Sequence, residues 1–468
     1  MLNHRFLLLL PVIALIACSD QSTSPDSGSD VADTKDSDAT DVTDTTDATD
    51  ATDVTDATDV TPPKVWETNY EPHKEKRGNI TILWLKGTPY EMGLQHGELM
   101  AEELAAGVEY IKGSELGLLE VFSREFGFLD DAKVQSYDMI LDECEGMAEG
   151  AKVEGWTVDL CLALAYGEVF LDHLELGILD QCSQFLAAGP AVASEDGELI
   201  HGRNLDWDDI SYLLEYPTII VRHPTGKIPY VTVGFPGNVA TYNGINAAGI
   251  SVASNENQSN GDIDRVGTPS IQTQNVILAE YDNIDDIMAM IEGLDRMSAE
   301  NLVIADGNAG RGVIYQLTAS HFGKNELGDA GIGWITNHYT HPDMVKWGIE
   351  YKENASTLIR HQRLTQLLDP EEKETTLYGK IDVPTAVSVL RDRYNPQTGE
   401  TQPEDAFDDD SSIATNGVIY SIVFKPKSGH FWLAAGNPPV PLNTYHSYSI
   451  AQLFGWDEPN PPTPDKVD

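Results

Sequence analysis

The chain has 468 residues, 41% of them hydrophobic, and a formal net charge of −47 at pH 7. That length and apolar content support a large packed core and exclude a wholly disordered chain. The acidic balance repels phosphate backbones, so nucleic acid is excluded as a partner, and most of the carboxylates read as solvated surface.

Residues 1–18 read as an export signal, in which Arg5 gives a positive start and residues 6–17 form an apolar run. The run is too short to span a bilayer, which takes roughly 20 residues. It closes on Leu15-Ile16-Ala17-Cys18, which resembles the lipobox of bacterial lipoproteins. The resemblance implies acylation of Cys18 and a membrane anchor there, and Ser19 after it implies the outer membrane or cell surface. Residues 19–64 follow as an acidic spacer, with Asp-Ala-Thr and Asp-Val-Thr units repeating from Asp38 to Thr61. So few large apolar residues cannot offset the ordering entropy, and the segment is expected to be disordered and extended by self-repulsion.

Apolar residues at helical spacing predict helices over 91–118, 131–152 and 157–174, behind a short strand at 80–85. From 182 the period changes to that of strands. Strands are expected at 183–190 and 199–204 around an Asp196-Gly197 turn, then at 218–222, 230–234, 240–245 and 250–254. A helical stretch at 270–294 precedes strands at 302–305, 312–317 and 334–337. Helices at 353–368 and 384–393 and a strand pair at 419–425 and 430–435 complete the pattern. Runs of strands joined by hairpins, then runs of helices, argue for an α+β fold with largely antiparallel sheets.

Four cysteines, Cys18, Cys144, Cys161 and Cys182, are too few for a disulfide framework in a chain of this length. Cys144 and Cys161 are either buried thiols or one disulfide, and their spacing leaves both open. Cys182 opens a strand. Gly202-Arg203-Asn204-Leu205-Asp206-Trp207 ends the partner strand of the same hairpin, so Arg203 and Asp206 return beside the cysteine. A cation there favours thiolate, and a carboxylate there can hold an amine.

Gln181-Cys182-Ser183-Gln184-Phe185 followed by Gly202 to Trp207 resembles the cysteine N-terminal-nucleophile hydrolases, and within them the self-processing penicillin acyltransferase family. Bile-salt hydrolases and acid ceramidase are more distantly similar. Tyr90-Glu91-Met92-Gly93 with Gln95-His96-Gly97, the segment from Phe235 to Asn255, Thr336-Asn337-His338, and Ser356 to Arg360 fit the same pattern in the same order. The resemblance covers about residues 78–448. It implies a four-layer αββα sandwich and self-cleavage between Gln181 and Cys182. The freed α-amine, with a pKa of about 8, then serves as base for its own thiol. Asp206 orients that amine, Arg203 favours thiolate, Asn255 and Asn337 donate to the oxyanion, and Arg360 braces the site or meets the acyl group. Gln181 departs from the small residue that several relatives carry before the nucleophile.

The implied substrate is a small molecule acylated on nitrogen, with no cofactor. Residues 65–181 become a helical pro-segment or light chain, 182–455 the catalytic region, and 456–468 a flexible Pro-rich tail. His338 and His341 lie three apart beside Pro342, without a third ligand at a telling spacing, so no metal site is expected. A binding lipoprotein that never cleaves itself, and a papain-like Cys–His enzyme, are the alternatives. The second lacks an evident histidine partner.

Overall fold

The computed structural model describes residues 66–114, 116–173, 182–194, 197–207, 211–404, 412–456 and 465–468. The export signal with Cys18, the Asp/Thr-rich spacer and Gln181 lie outside the described residues.

Strands β1 (His73–Arg77) and β2 (Ile80–Gly87) come first. Helices α1 (Pro89–Leu99), α2 (Ala101–Gly113), α3 (Leu116–Glu125), α4 (Phe128–Gln135), α5 (Asp138–Ala151), α6 (Val158–Ala165) and α7 (Gly167–His173) follow. Then come β3 (Ser183–Ala187), β4 (Ile200–Asp206), α8 (Ser211–Glu215), β5 (Thr218–Pro224), β6 (Tyr230–Gly234), β7 (Asn243–Asn246) and β8 (Ile250–Glu256). Helices α9 (Ser270–Glu280) and α10 (Ile284–Glu292) lead to β9 (Glu300–Asp306), β10 (Arg311–Leu317), β11 (Phe322–Glu326) and β12 (Ile332–Ile335). The last part holds α11 (Ser356–Leu368), α12 (Val383–Leu390), β13 (Tyr394–Asn395), β14 (Glu400–Thr401), β15 (Val418–Lys425), β16 (His430–Ala435), β17 (His446–Ser449) and α13 (Ile450–Leu453).

Nine strands pair in the order β1-β2-β5-β6-β7-β8-β9-β10-β11, and six in the order β12-β3-β4-β15-β16-β17. Among the described strands only β2 and β5 run parallel, with Thr81 beside Thr218. Successive side chains of a strand point to opposite faces, and the core divides accordingly. Leu302, Ile304, Val313 and Tyr315 pack with Ile277 and Leu278 of α9 and Ile287 and Ile291 of α10. Their strand neighbours Val303, Ala305 and Ile314 face the other way and meet Leu186 and Ile335 of the six-stranded sheet. On that sheet's far side Phe185, Ala187, Val423 and Trp432 pack with Leu364 and Leu367 of α11 and Val387 and Leu390 of α12. The layers therefore run helices, sheet, sheet, helices, which is the αββα sandwich expected. Each large apolar side chain so buried contributes about 1.5–3 kcal/mol, and the inter-sheet layer is where the chemistry-bearing residues meet.

The segment 65–181 is more than a helical pro-segment, because β1 and β2 join the nine-stranded sheet. The helix expected over 91–118 is interrupted at Met100 and again at Ser114. The break lets α1 lie against α5 at very short range. A Cβ on Gly93 would sit 2.1 Å from the carbonyl oxygen of Glu143, and one on Gly146 would sit 2.0 Å from that of Tyr90. The Tyr90 to Gly97 motif is thus a packing device, in which any larger residue would push two helices apart. Thr88 caps α1 in a reciprocal box with Glu91. Cys144 of α5 and Cys161 of α6 form a disulfide, which resolves the two alternatives left by their spacing.

Of the tail expected to be flexible over 456–468, described residues near the end are tied to the sheet. Val467 and Tyr445 exchange main-chain hydrogen bonds of 3.0 and 2.8 Å, and Trp432 Nε1 donates to the Asp465 carbonyl at 2.9 Å.

Candidate active site

Cys182 immediately precedes β3. The antiparallel register sets Ser183 opposite Asn204, so the end of β4 comes back beside the cysteine as the hairpin argument required. The connection between the two strands is longer than a two-residue turn and includes a short 3-10 turn at Gly189–Ala191. Cys182 is 2% exposed and is the free cysteine of the described residues. Its Sγ lies 4.0 Å from the main-chain oxygen of Asp206.

Arg203 points into the layer between the sheets, fully buried. Its Nη1 donates to the Tyr242 carbonyl at 2.8 Å, and its Nη2 donates to that of Ser254. Asp206 closes β4 with its carboxylate accepting from the hydroxyl of Thr415. Asn255, on β8 of the facing sheet, reaches across the layer. Its Nδ2 lies 3.4 Å from the carbonyl oxygen of Cys182 and 3.1 Å from that of Thr336, and its Oδ1 accepts from Gln184 Nε2 at 2.5 Å.

Arg360, on the first turns of α11, completes the enclosure from the helix side. Its Nη1 donates to the Cys182 carbonyl and to Ser183 Oγ at 3.1 Å, and its Nη2 donates to Asn337 Oδ1 at 3.0 Å. Asn337 just follows β12. It is held by its own N–H to Thr357 Oγ1 at 2.9 Å and by Nδ2 to the Glu256 carbonyl at 2.8 Å. The structure thus places Arg203, Asp206, Asn255 and Arg360 about Cys182, with Asn337 joined through Arg360. Arg360 thus holds the main chain of Cys182.

Burial is the largest influence on the Cys182 thiol and pushes it up, while Arg203 and Arg360 both act to lower it. The Asp206 carboxylate adds to the rise, and the main-chain oxygen of the same residue opposes it. The nearby cations therefore act on this thiol against its burial.

Among the described residues no histidine bonds to Cys182, although His338 shares Thr357 Oγ1 with Asn337. His338 Nδ1 is 2.8 Å from Thr357 Oγ1, and burial, aided by the charges of His361 and Arg360, pushes it down to about 3. The main-chain N–H of His341 donates to Gln316 Oε1 at 2.9 Å, and its ring Nδ1 accepts from the Asp343 N–H at 3.2 Å. Among the described residues no cluster of three potential ligands is suited to a metal ion. His96 is buried in α1, accepts from the Gly237 N–H at 3.0 Å, and is pushed down to about 3 by burial. One supporting residue, Thr415, had no signal in the sequence, and its importance lies only in what it touches. Gln184 and Thr357 fell inside the quoted motifs but carried no assigned role there.

Residues 192–439 match the family of acyl-coenzyme A:6-aminopenicillanic acid acyl-transferases, more than half of the chain. The chain belongs to that family. The matched span carries Arg203, Asp206, Asn255, Asn337 and Arg360 and begins just after the Cys182 strand. A protein of Archaeoglobus fulgidus, described as uncharacterized, is 23% identical over 384 residues, covering 70% of this chain and 61% of that protein. The chain thus spans about three-fifths of that relative. Among solved structures, a Caenorhabditis elegans ortholog of N-acylethanolamine-hydrolyzing acid amidase is 17% identical with a TM-score of 0.37, over 53% of this chain and 93% of the other. A mutant of conjugated bile acid hydrolase from Clostridium perfringens is 12% identical with a TM-score of 0.37, over 59% of this chain and 95% of the other.

Proposed function

We propose that this chain is a self-processing amide hydrolase or acyltransferase that acts on small N-acyl compounds through a thioester on Cys182. The observation that carries the reading is the set of groups around the cysteine: two guanidinium groups, a carboxylate and a side-chain amide. Among the described residues no imidazole bonds to it. A nucleophile so placed needs a base, and the α-amine of Cys182 itself supplies one once the Gln181–Cys182 bond is cut.

In the first event the Cys182 sulfur adds to the Gln181 carbonyl carbon. The C–N bond breaks, its electrons stay on nitrogen, and the nitrogen takes up the proton. Water then hydrolyses the thioester and releases Gln181 as a carboxylate. The new amine, with a pKa of about 8, accepts the thiol proton near neutral pH. Asp206 holds that amine. The sulfur attacks the substrate's acyl carbon, the amine leaves with the proton, and water or a second amine takes the acyl group from sulfur. Asn255 and Asn337 stabilise the oxyanion, a contribution of about 3–4 kcal/mol per donor. To do so Asn337 would have to turn its amide from the Glu256 carbonyl, to which it donates in the described structure.

The same reading includes export and lipid attachment at Cys18, with the protein carried on an outer membrane or cell surface by the spacer. Among the described residues no helix is long and apolar enough to cross a membrane. Intact-mass analysis of the mature protein is the test. Wild type should give two chains, the larger starting at Cys182, and Cys182→Ala one. A panel of N-acyl aminocoumarins, from phenylacetyl to long-chain acyl, should then show turnover only in the cleaved protein. A single uncleaved chain that hydrolyses the panel would sink the free-amine mechanism.

A further inference from the structure

The approach of β15 to β4 is irregular at one place. Val418 lies opposite Asp206, but Tyr420 lies opposite Leu205, so Ile419 is accommodated in a bulge. Bulges re-aim the chain next to them. Here the segment ahead of the bulge runs under the end of β4, where the Trp207 N–H donates to the Gly417 carbonyl at 2.8 Å. The result is that Thr415, fully buried, donates its hydroxyl to one carboxylate oxygen of Asp206, which is itself 1% exposed.

We propose that Thr415 is a positioning residue for the reaction. It holds one oxygen of Asp206 so that the other faces the α-amine of Cys182. The inference rests on the reading that Asp206 orients that amine. A carboxylate at a strand end turns readily about its last side-chain bond, and two orientations would serve the amine unequally. A charged acceptor makes strong hydrogen bonds, and a hydroxyl placed by a strand bulge is a fixed donor. Thr415 is thus the third member of a chain that runs from the thiol to its amine, from the amine to Asp206, and from Asp206 into the six-stranded sheet.

The same bulge brings Tyr420 to Arg203. The phenol oxygen lies 3.5 Å from Arg203 Nη1 and accepts from Asn243 Nδ2. One strand irregularity therefore sets the surroundings of both charged residues of β4, with Tyr420 on β15 and Thr415 in the segment just ahead of it.

The test is a mutant cycle on the processed enzyme, assayed with the best-hydrolysed aminocoumarin of the panel. Thr415→Val keeps the shape and loses the hydroxyl, and Thr415→Ser keeps the hydroxyl. The valine variant should lose roughly 10- to 100-fold in kcat with KM changed by no more than about twofold, because the lost interaction acts on the nucleophile's base and not on substrate binding. Serine should recover most of the loss. In an Asp206→Asn background, valine should add little, because the two residues act as one unit. Equal losses in the serine and valine variants, or full additivity with Asp206→Asn, would overturn the proposal. If Asp206→Asn itself leaves kcat intact in a cleaved enzyme, it is the amine-orienting reading that fails. Should the valine variant not fold, Thr415→Ala against Thr415→Ser carries the same comparison, with the same overturning result.

Discussion

Arg222, between the nine-stranded sheet and its helices, and Arg203, between the two sheets, are both fully buried, but their surroundings differ. Arg222 meets a carboxylate. Its Nε and Nη2 reach Glu143 Oε1 at 3.1 and 2.9 Å, and its remaining donors go to Thr232 and the Asn238 carbonyl. Arg203 spends its donors on the carbonyls of Tyr242 and Ser254, and no carboxylate among the described residues pairs with it directly. A buried charge without an ion-pair partner is costly. At Arg222 the charge is cancelled where it stands, so its work is to join α5 to β5. At Arg203 the charge is left to act on Cys182, whose thiol it draws down against burial. The difference separates an arginine neutralised by an ion pair from one whose charge reaches the thiol, and under the proposed function only the second serves the chemistry.

The contrast can be broken at either arginine. Removing the partner of Arg222 should have the largest effect on stability. Glu143→Ala leaves an uncompensated buried charge and should cost about 3–5 kcal/mol. It should appear as a lower urea midpoint, while the alkylation profile of Cys182 in the protein that does fold stays in place. Arg203→Ala should do the reverse. Turnover should fall by roughly 100-fold, an electrostatic loss at the site, and Cys182 alkylation should move to higher pH, with a smaller fall in the urea midpoint than Glu143→Ala. A Glu143 variant that shifts the thiol, or an Arg203 variant that does not, would erase the distinction.

A buried carboxyl elsewhere in the sheet sharpens the comparison through pH. Glu300 lies directly opposite Glu256 on β9 and β8, and burial pushes it up to about 8, with Arg296 opposing. A carboxyl raised in the fold binds its proton more tightly folded than unfolded. Its contribution to stability is therefore complete below the ordinary glutamate value of 4.5 and is lost as pH rises towards about 8. The urea midpoint of wild type should decline from pH 5 to pH 8.5, and Glu300→Gln should flatten that decline. The smallest effect is expected at His338, which carries no assigned proton. His338→Ala in a cleaved enzyme should change turnover by less than about threefold, within the range of lost local packing. Abolished turnover there would return the Cys–His alternative.

How far the sequence led can be traced residue by residue. Arg203 and Asp206 were legible beside Cys182 because all three belong to one hairpin, where register follows from strand period. Asn255, Asn337 and Arg360 come from the facing sheet, the end of β12 and a helix, and only the resemblance to a family brought them together. Thr415 was not legible at all, since its role depends on a bulge that no local pattern announces. The same holds for the fold. The alternating inner strands were plain, but β1, whose residues His73 to Arg77 are all exposed, reads as a charged loop. Charges are what an edge strand carries to discourage further pairing. The break at Met100 was hidden because both flanking helices continue the same apolar spacing.

The pairing of β2 with β5 has a further consequence for the life of the molecule. Cleavage before Cys182 would leave β2 on one chain and β5 on the other, with the Cys144–Cys161 bridge wholly inside the first. Nothing covalent would then join the pieces, yet each would lack strands the other holds. Before the cut the two parts meet as segments of one chain; after it, their meeting depends on concentration. The mature enzyme would therefore carry an imprint of the precursor that it can no longer rewrite. Once unfolded and diluted, it would be a heterodimer that has lost the tether with which it was assembled.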